Sequence, residues 1–205
     1  MEVMNGVHSA AAISGRWVRL RSISRADYPA MFEWRLDTQM VHLWNISRRW
    51  PPYEEFVTGL EQSLRTTNLL IVIDQATERM IGYVQSYGDS PWDRWTYVAG
   101  YLLPKYRVRP HFPETMLLCL DAWFRWFPLN KIYIEVYEFA ENLHQMLPVL
   151  GFVEEGTTPD HFWHGGRYWG LTKYALYRER WPEGRERLVD ILKVRDRLEE
   201  PAAVE

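Results

Sequence analysis

One run of the chain narrows its fold more than any other. Residues 130–156 read NKIYIEVYEFAENLHQMLPVLGFVEEG. Asn130 to Tyr137 alternates apolar and polar side chains, the period of a strand with two different faces. Residues 140–150 carry a short helical stretch, interrupted or bent near Pro148, which has no N–H to give to a helix. A new strand starts at Gly151. A strand, a short helix and another strand in succession require a sheet with a helix laid on it, which places the chain in the α/β class.

The rest of the chain reads in the same alphabet. Val18 and Leu20 alternate with Arg19 and Arg21 in a first strand from Trp17 to Arg21. Ser24 or Asp27 caps a helix running to Leu36, with Tyr28, Met31 and Phe32 at helical spacing. Pro51 and Pro52 pre-set a second helix, whose Phe56, Leu60 and Leu64 recur every fourth residue. Strands follow at Leu69–Ile73, Met80–Tyr87 and Trp95–Leu103. A basic, proline-containing loop over 104–113 leads into the amphipathic run ETMLLCLDAWFRWF, where Cys119 is expected in the core and Glu114 as a cap or first-turn charge. GFVEEG opens a strand that gives way to a loop rich in His and Trp, and Arg167–Tyr177 is the last strand. GRERLVDILKVRDRLEE is a final helix with Leu188, Ile191 and Leu192 on its apolar side. It is read as packing on the domain surface, with a homodimer through it the lesser alternative.

Composition sets the boundaries of function. With 47% hydrophobic and 25% charged residues, the 205-residue chain is globular rather than disordered, and one domain suffices. The formal charge of −3 and the lack of a basic stripe argue against nucleic acid. A single cysteine excludes an intrachain disulfide and a multi-cysteine metal site; His161 and His164 lack further ligands, so no metal is expected. No stretch reaches the length of a membrane span, and no secretory leader is recognisable, so the expected location is the cytoplasm. Aromatic residues make up 15%, enough to line a pocket as well as fill a core. Trp44, Trp50 and Tyr53 are candidates for such a lining, with Trp50 favoured as packing; Arg48 and Arg49 beside them suit a carboxylate or phosphate.

The order of these elements, together with WVRLRSISRADYPAMFEWRLD, ERMIGYVQ, LGFVEEG and GGRYWGLTKYALYRERW, resembles the GNAT superfamily of N-acyltransferases. The likeness spans residues 16–181, with 1–15 a loose arm and 182–205 a helical extension. It implies a GNAT-like mixed central sheet of about seven strands flanked by helices. It also implies acetyl-CoA or another acyl-CoA as donor and a small-molecule or peptide amine as acceptor.

In that family the pantetheine arm lies in a splay between two strands, and the pyrophosphate sits on N–H groups at the start of the central helix. Carried onto this chain, the strand donors are Tyr101, Leu102 and Leu103. The phosphate loop is Arg107, Val108, Arg109, Pro110, His111 and Phe112. Arg107 fits the family pattern; Pro110 and Phe112 stand where small residues belong, and proline lacks the N–H. The helix before LGF carries Ala140, Leu143 and Leu147 where the family often has Asn, Ser and the Tyr that protonates the leaving thiolate. Acceptor-side candidates are Glu33 on the first helix and Tyr83 and Gln85, which share one face of a strand. Two readings follow. One is an acyl-CoA-dependent N-acyltransferase. The other is a scaffold that uses a carrier-protein thioester, does other chemistry, or only binds.

Overall fold

The computed structural model describes residues 12–36, 49–107 and 110–192. Strands β1 (Ile13–Ser14), β2 (Val18–Ser22), β3 (Asn68–Asp74), β4 (Arg79–Ser90), β5 (Trp95–Leu102), β6 (Lys131–Tyr137), β7 (Val153–His164) and β8 (Arg167–Tyr177) form one eight-stranded sheet. Its order is β1-β2-β3-β4-β5-β6-β8-β7, antiparallel except at β5–β6, which runs parallel. The eighth strand is β1, two residues long, pairing Ile13 with Leu20 and Ser14 with Arg19. Helices α1 (Tyr28–Leu36), α2 (Tyr53–Ser63), α3 (His111–Trp126), α4 (Glu141–Val149) and α5 (Trp181–Leu192) complete the fold.

The alternation of the strands decides the layers. Val18, Leu20, Val72, Ile81, Val84, Val98 and Leu102 share one face and pack with Leu117, Leu120 and Trp123 of α3. The opposite face carries Leu69, Ile71 and Ile73, covered by Tyr28 and Met31 of α1 and Phe56 of α2. Cys119 lies wholly inside the first core, and burial pushes its thiol far above the usual range. The turn into α1 is closed by Asp27, which accepts hydrogen bonds from the Ser24 N–H at 2.7 Å and from the Arg21 guanidinium at 2.6 Å. Burial alone would raise the Asp27 carboxyl; Arg21 and Ser24 outweigh it and hold the group below the usual carboxylate range.

Three expectations change. The His- and Trp-rich stretch is strand, not loop: β7 runs to His164 and turns only at Gly165–Gly166, both at positive φ, the backbone of a two-residue hairpin turn. Trp50 does not pack inward but is 59% exposed; Trp44 and Arg48 lie outside the described residues. The final helix packs on the domain as expected, but through a side that differs in part. Trp181, Leu188, Val189 and Leu192 are buried in the α3-side cluster, while Ile191 faces out. Asp121 of α3 receives the Trp181 indole at 2.7 Å and the Arg185 guanidinium at 2.8 Å.

Gly184 lets this helix close on the C-terminal end of α4, because a Cβ there would overlap the Leu150 carbonyl oxygen. Gly184→Ala is therefore expected to destabilise by ~1–3 kcal/mol, the scale of overpacking, despite alanine's better helix propensity. Gly59 in α2 has open space around its missing Cβ. Gly59→Ala is expected to stabilise by ~0.5–1 kcal/mol, so urea unfolding of the two variants should move in opposite directions.

Candidate active site

The site begins where two parallel strands stop being neighbours. β5 and β6 pair only through Trp95–Lys131, Thr96–Ile132 and Tyr97–Tyr133. A block of rings pins these rungs: Tyr97 stacks on Tyr133 at 5.1 Å and on Tyr87 at 5.5 Å, and Trp95 meets Tyr133 edge-on at 5.8 Å. Cross-strand aromatic pairs of this kind fix register. Past Tyr97 the two strands no longer pair, so the β6-facing edge of residues 98–102 borders an open wedge.

On the α1–α2 side of the sheet lies a cavity of about 790 Å³. Its floor is Tyr83, Gln85 and Tyr101, and its walls include Trp34, Arg35, Phe56 and Glu54. The β4–β5 register sets Tyr83 opposite Tyr101 and Gln85 opposite Ala99, which brings the three polar side chains to one face beside the wedge. The Tyr83 and Tyr101 rings stack at 6.1 Å. Burial drives the Tyr83 phenol far above its ordinary value, against the pull of the nearby Arg35 charge. It is therefore a neutral hydrogen-bonding group and not a base. Glu33, the third acceptor-side candidate, is exposed on α1 and is not among the residues lining this cavity.

Alternation also places a carboxylate that the reading of the sequence passed over. Lys131, Tyr133, Glu135 and Tyr137 share a face of β6, and the Tyr97–Tyr133 rung makes it the face of Tyr83 and Gln85. Glu135 is exposed and lies past the last shared rung. Burial first, and the Glu135 charge second, push the Tyr87 phenol up to about 12. The period-2 pattern of KIYIEVY held this information; the missing piece was which face met the cavity.

The donor-side residues are spread unevenly. Tyr101 opens to the cavity, whereas the Leu102 side chain is buried in the opposite core. The Leu103 N–H is taken by the Ile81 carbonyl at 2.9 Å. Arg107 lies over the Tyr101 ring at 5.5 Å and donates from Nε to the Leu102 carbonyl at 2.8 Å. Val108 and Arg109 lie outside the described residues. Phe112 packs against the core.

His111 turns inward: its Nε2 meets Asp74 Oδ1 at 3.2 Å and its ring stands edge-on to Tyr106 at 4.8 Å. Asp74 is also held by Thr77 at 2.6 Å. Burial would raise this carboxyl, but Thr77, His111 and the Ala76 N–H together hold it below the usual range. The α3 helix begins at His111, three residues earlier than expected, because proline is tolerated in a first turn. The consequence is chemical: Pro110 and Pro113 contribute no N–H, and the Glu114 N–H is bonded to the Pro110 carbonyl at 3.0 Å. His111 and Phe112 are the N–H groups of that turn with no acceptor among the described residues, a thin set for a pyrophosphate. The wedge thus fits a pantetheine arm better than the helix start fits its phosphates.

Glu114 is the acidic residue of the first turn of α3, as expected, but it neither caps that helix nor faces solvent. It is fully buried and accepts the backbone N–H groups of Arg16, Trp17 and Val18, each at 2.7 Å. Burial pushes its carboxyl up, with the three donors pulling back.

The sequence profile of the acetyltransferase (GNAT) domain matches residues 18–153, from β2 into β7. The chain belongs to the GNAT acetyltransferase family. Solved structures share the fold of this GNAT domain. A spermidine N-acetyltransferase from Vibrio cholerae, in complex with CoA and spermine, superimposes with a TM-score of 0.74 at 19% identity, covering 81% of this chain and 98% of that one. A GCN5-related N-acetyltransferase from Brucella melitensis gives 0.70 at 19% identity, covering 88% and 85%. A GNAT-family acetyltransferase from Bacillus anthracis gives 0.67 at 17% identity, covering 82% and 99%. No curated protein matches. Among the described residues, no cluster of three His, Cys, Asp or Glu side chains is placed to hold a metal, and no helix is long and apolar enough to cross a membrane.

Proposed function

We propose that this GNAT domain transfers an acyl group from an acyl-CoA directly to the nitrogen of a small amine. The observation that carries the reading is the wedge between β5 and β6, opening beside a cavity floored by Tyr83, Gln85 and Tyr101. The thioester enters along the wedge, with the unpaired edge of β5 past Tyr97 as its guide rail and Arg107, with Arg109, at its phosphates. The amine waits in the cavity. Its nitrogen forms a bond to the acyl carbon, the C–S bond breaks, and the amine's proton leaves to a base or to solvent.

Tyr83 and Gln85 orient the amine by hydrogen bonds; neither takes its proton at neutral pH. Glu135 is the carboxylate on the same sheet face at the wedge and accepts that proton through water. The helix position where relatives carry a phenol holds Leu147, buried in the core, so the thiolate is protonated by solvent. Positioning rather than acid catalysis supplies the rate. The neighbours with amine acceptors in their names support the acceptor class.

The test is calorimetry with acetyl-CoA, followed by amine-dependent thiol release across a panel of amines. Micromolar binding, on the order of −8 kcal/mol, with release above the hydrolytic background supports the proposal. Absence of coenzyme binding sinks it in favour of a scaffold serving another donor.

A further inference from the structure

The charges around the cavity do not cancel pair by pair. Arg35 and Arg49 are its cations, Glu54 and Glu55 its anions. Arg49 is paired with Glu55 at 3.2 Å. Arg35 has no carboxylate partner among the described residues, and its Nε is buried without a hydrogen bond. It sits at the end of α1, half-buried, near enough for its charge to act on the Tyr83 hydroxyl. A guanidinium that lines a cavity, with no carboxylate among the described residues to match its charge, can take one from a ligand. A guanidinium also binds a carboxylate through two parallel N–H bonds, which sets direction as well as affinity.

We propose that the acceptor of this cavity is an amine that also carries a carboxylate, an amino acid or similar amino-carboxylate, anchored by Arg35. The inference rests on the acyl-transfer reading for what happens to the amine, but not for the recognition itself. A carboxylate on Arg35 beside Tyr83 holds the molecule at the α1 wall and leaves its amine free to reach the floor at Gln85 and Tyr101, next to the wedge. The cavity volume suits a small ligand. A polyamine, positive along its whole length, would set like charge against Arg35, with Glu54 the one lining carboxylate not already in an ion pair among the described residues. Trp34, packed 5.2 Å from the Tyr101 ring, gives the ligand's apolar part a flat wall.

The experiment compares matched pairs that differ only in the carboxylate: tyrosine with tyramine, phenylalanine with phenethylamine, ornithine with putrescine. Binding to the full-length protein is read by calorimetry and by thermal shift, with no coenzyme present. The expected result is at least tenfold tighter binding of the carboxylated member in at least one pair. Arg35→Gln is expected to remove most of that preference by weakening the carboxylated member, with the decarboxylated partner bound as well as before or more tightly, and Arg35→Lys to restore part of it. Equal or tighter binding of the decarboxylated amines, or of spermine, overturns the proposal. So does binding by no amine at all, or an equal loss for both members of a pair in Arg35→Gln. The wild-type pairs decide even if the variants fold poorly. Coenzyme binding, measured separately, keeps the two readings apart. Selective amino-carboxylate binding without coenzyme binding sinks acyl transfer alone, and coenzyme binding with a preference for plain amines sinks this proposal alone.

Discussion

Replacing Glu114 with alanine is expected to lower the stability of the domain by about 3–6 kcal/mol, the largest effect of any single change considered. The carboxylate is fully buried and is the acceptor for three consecutive backbone N–H groups, those of Arg16, Trp17 and Val18. Removing it strands three donors at ~1–3 kcal/mol each, with some relief from water entering the space. For a chain of this length the thermal midpoint should fall by on the order of 10 °C or more. Glu114→Gln keeps an acceptor oxygen and removes the charge that burial disfavours, so it should cost less than alanine.

A second substitution makes the argument specific. A Cβ at Gly15 would overlap the Glu114 carboxyl carbon and oxygens. Gly15→Ala should therefore destabilise the native chain but be close to neutral in the Glu114→Ala background, a coupling on the order of 1–3 kcal/mol in a double-mutant cycle. Additive losses in urea unfolding would show that the clamp is not what holds β1 and the start of β2 to the central helix.

Substitutions in the phosphate loop should pull coenzyme affinity in opposite directions. Arg107→Ala is expected to weaken acetyl-CoA binding about 10- to 100-fold, the loss of ~1.5–3 kcal/mol from charged hydrogen bonds. Pro110→Gly is expected to tighten it about 2- to 10-fold by returning one N–H donor worth ~0.5–1.5 kcal/mol to the start of α3. The discriminating ligand is an acyl-pantetheine thioester without phosphates. Its binding should not respond to Pro110→Gly, and it should respond to Arg107→Ala only so far as loss of the Arg107–Leu102 hydrogen bond disturbs the end of β5. If acetyl-CoA binds equally to all three proteins, the loop does not carry the phosphates, and a donor lacking them becomes the better reading.

Much of this architecture is written locally. Alternation in KIYIEVY and IGYVQSY, punctuated by turn residues, locates strands whether or not the partner strand is known. The loop that turned out to be strand shows the limit: HFWHGGRYW holds its hairpin signal in Gly165–Gly166, but the rings and histidines around it drew the eye to surface chemistry. The C-terminal helix shows another. Its period was legible and Leu188 and Leu192 are buried, yet Val189 rather than Ile191 completes the buried side, because the Leu150 carbonyl against Gly184 and Asp121 against Arg185 fix its rotation from outside the helix.

The candidate site divides in the same way. Tyr83 and Gln85 could be assigned to one face of β4 from their own spacing, and the β4–β5 register brings Tyr101 to the same floor. Arg35, Glu135 and Glu114 could not be assigned in this way. What makes each distinctive is a relation to distant residues: an arginine with no carboxylate partner among the described residues, a carboxylate past the last shared rung, a carboxylate on N–H groups 96 to 98 positions away. By itself the sequence determined the class and the order of the main strands and helices. The tertiary structure alone decided where β5 and β6 part, which face holds the cavity, and which charges there are left unmatched. The physical reason is range. Periodicity and turn chemistry act between neighbours and leave a pattern in the chain, whereas a buried hydrogen bond or a missing counter-charge depends on groups that only folding brings together.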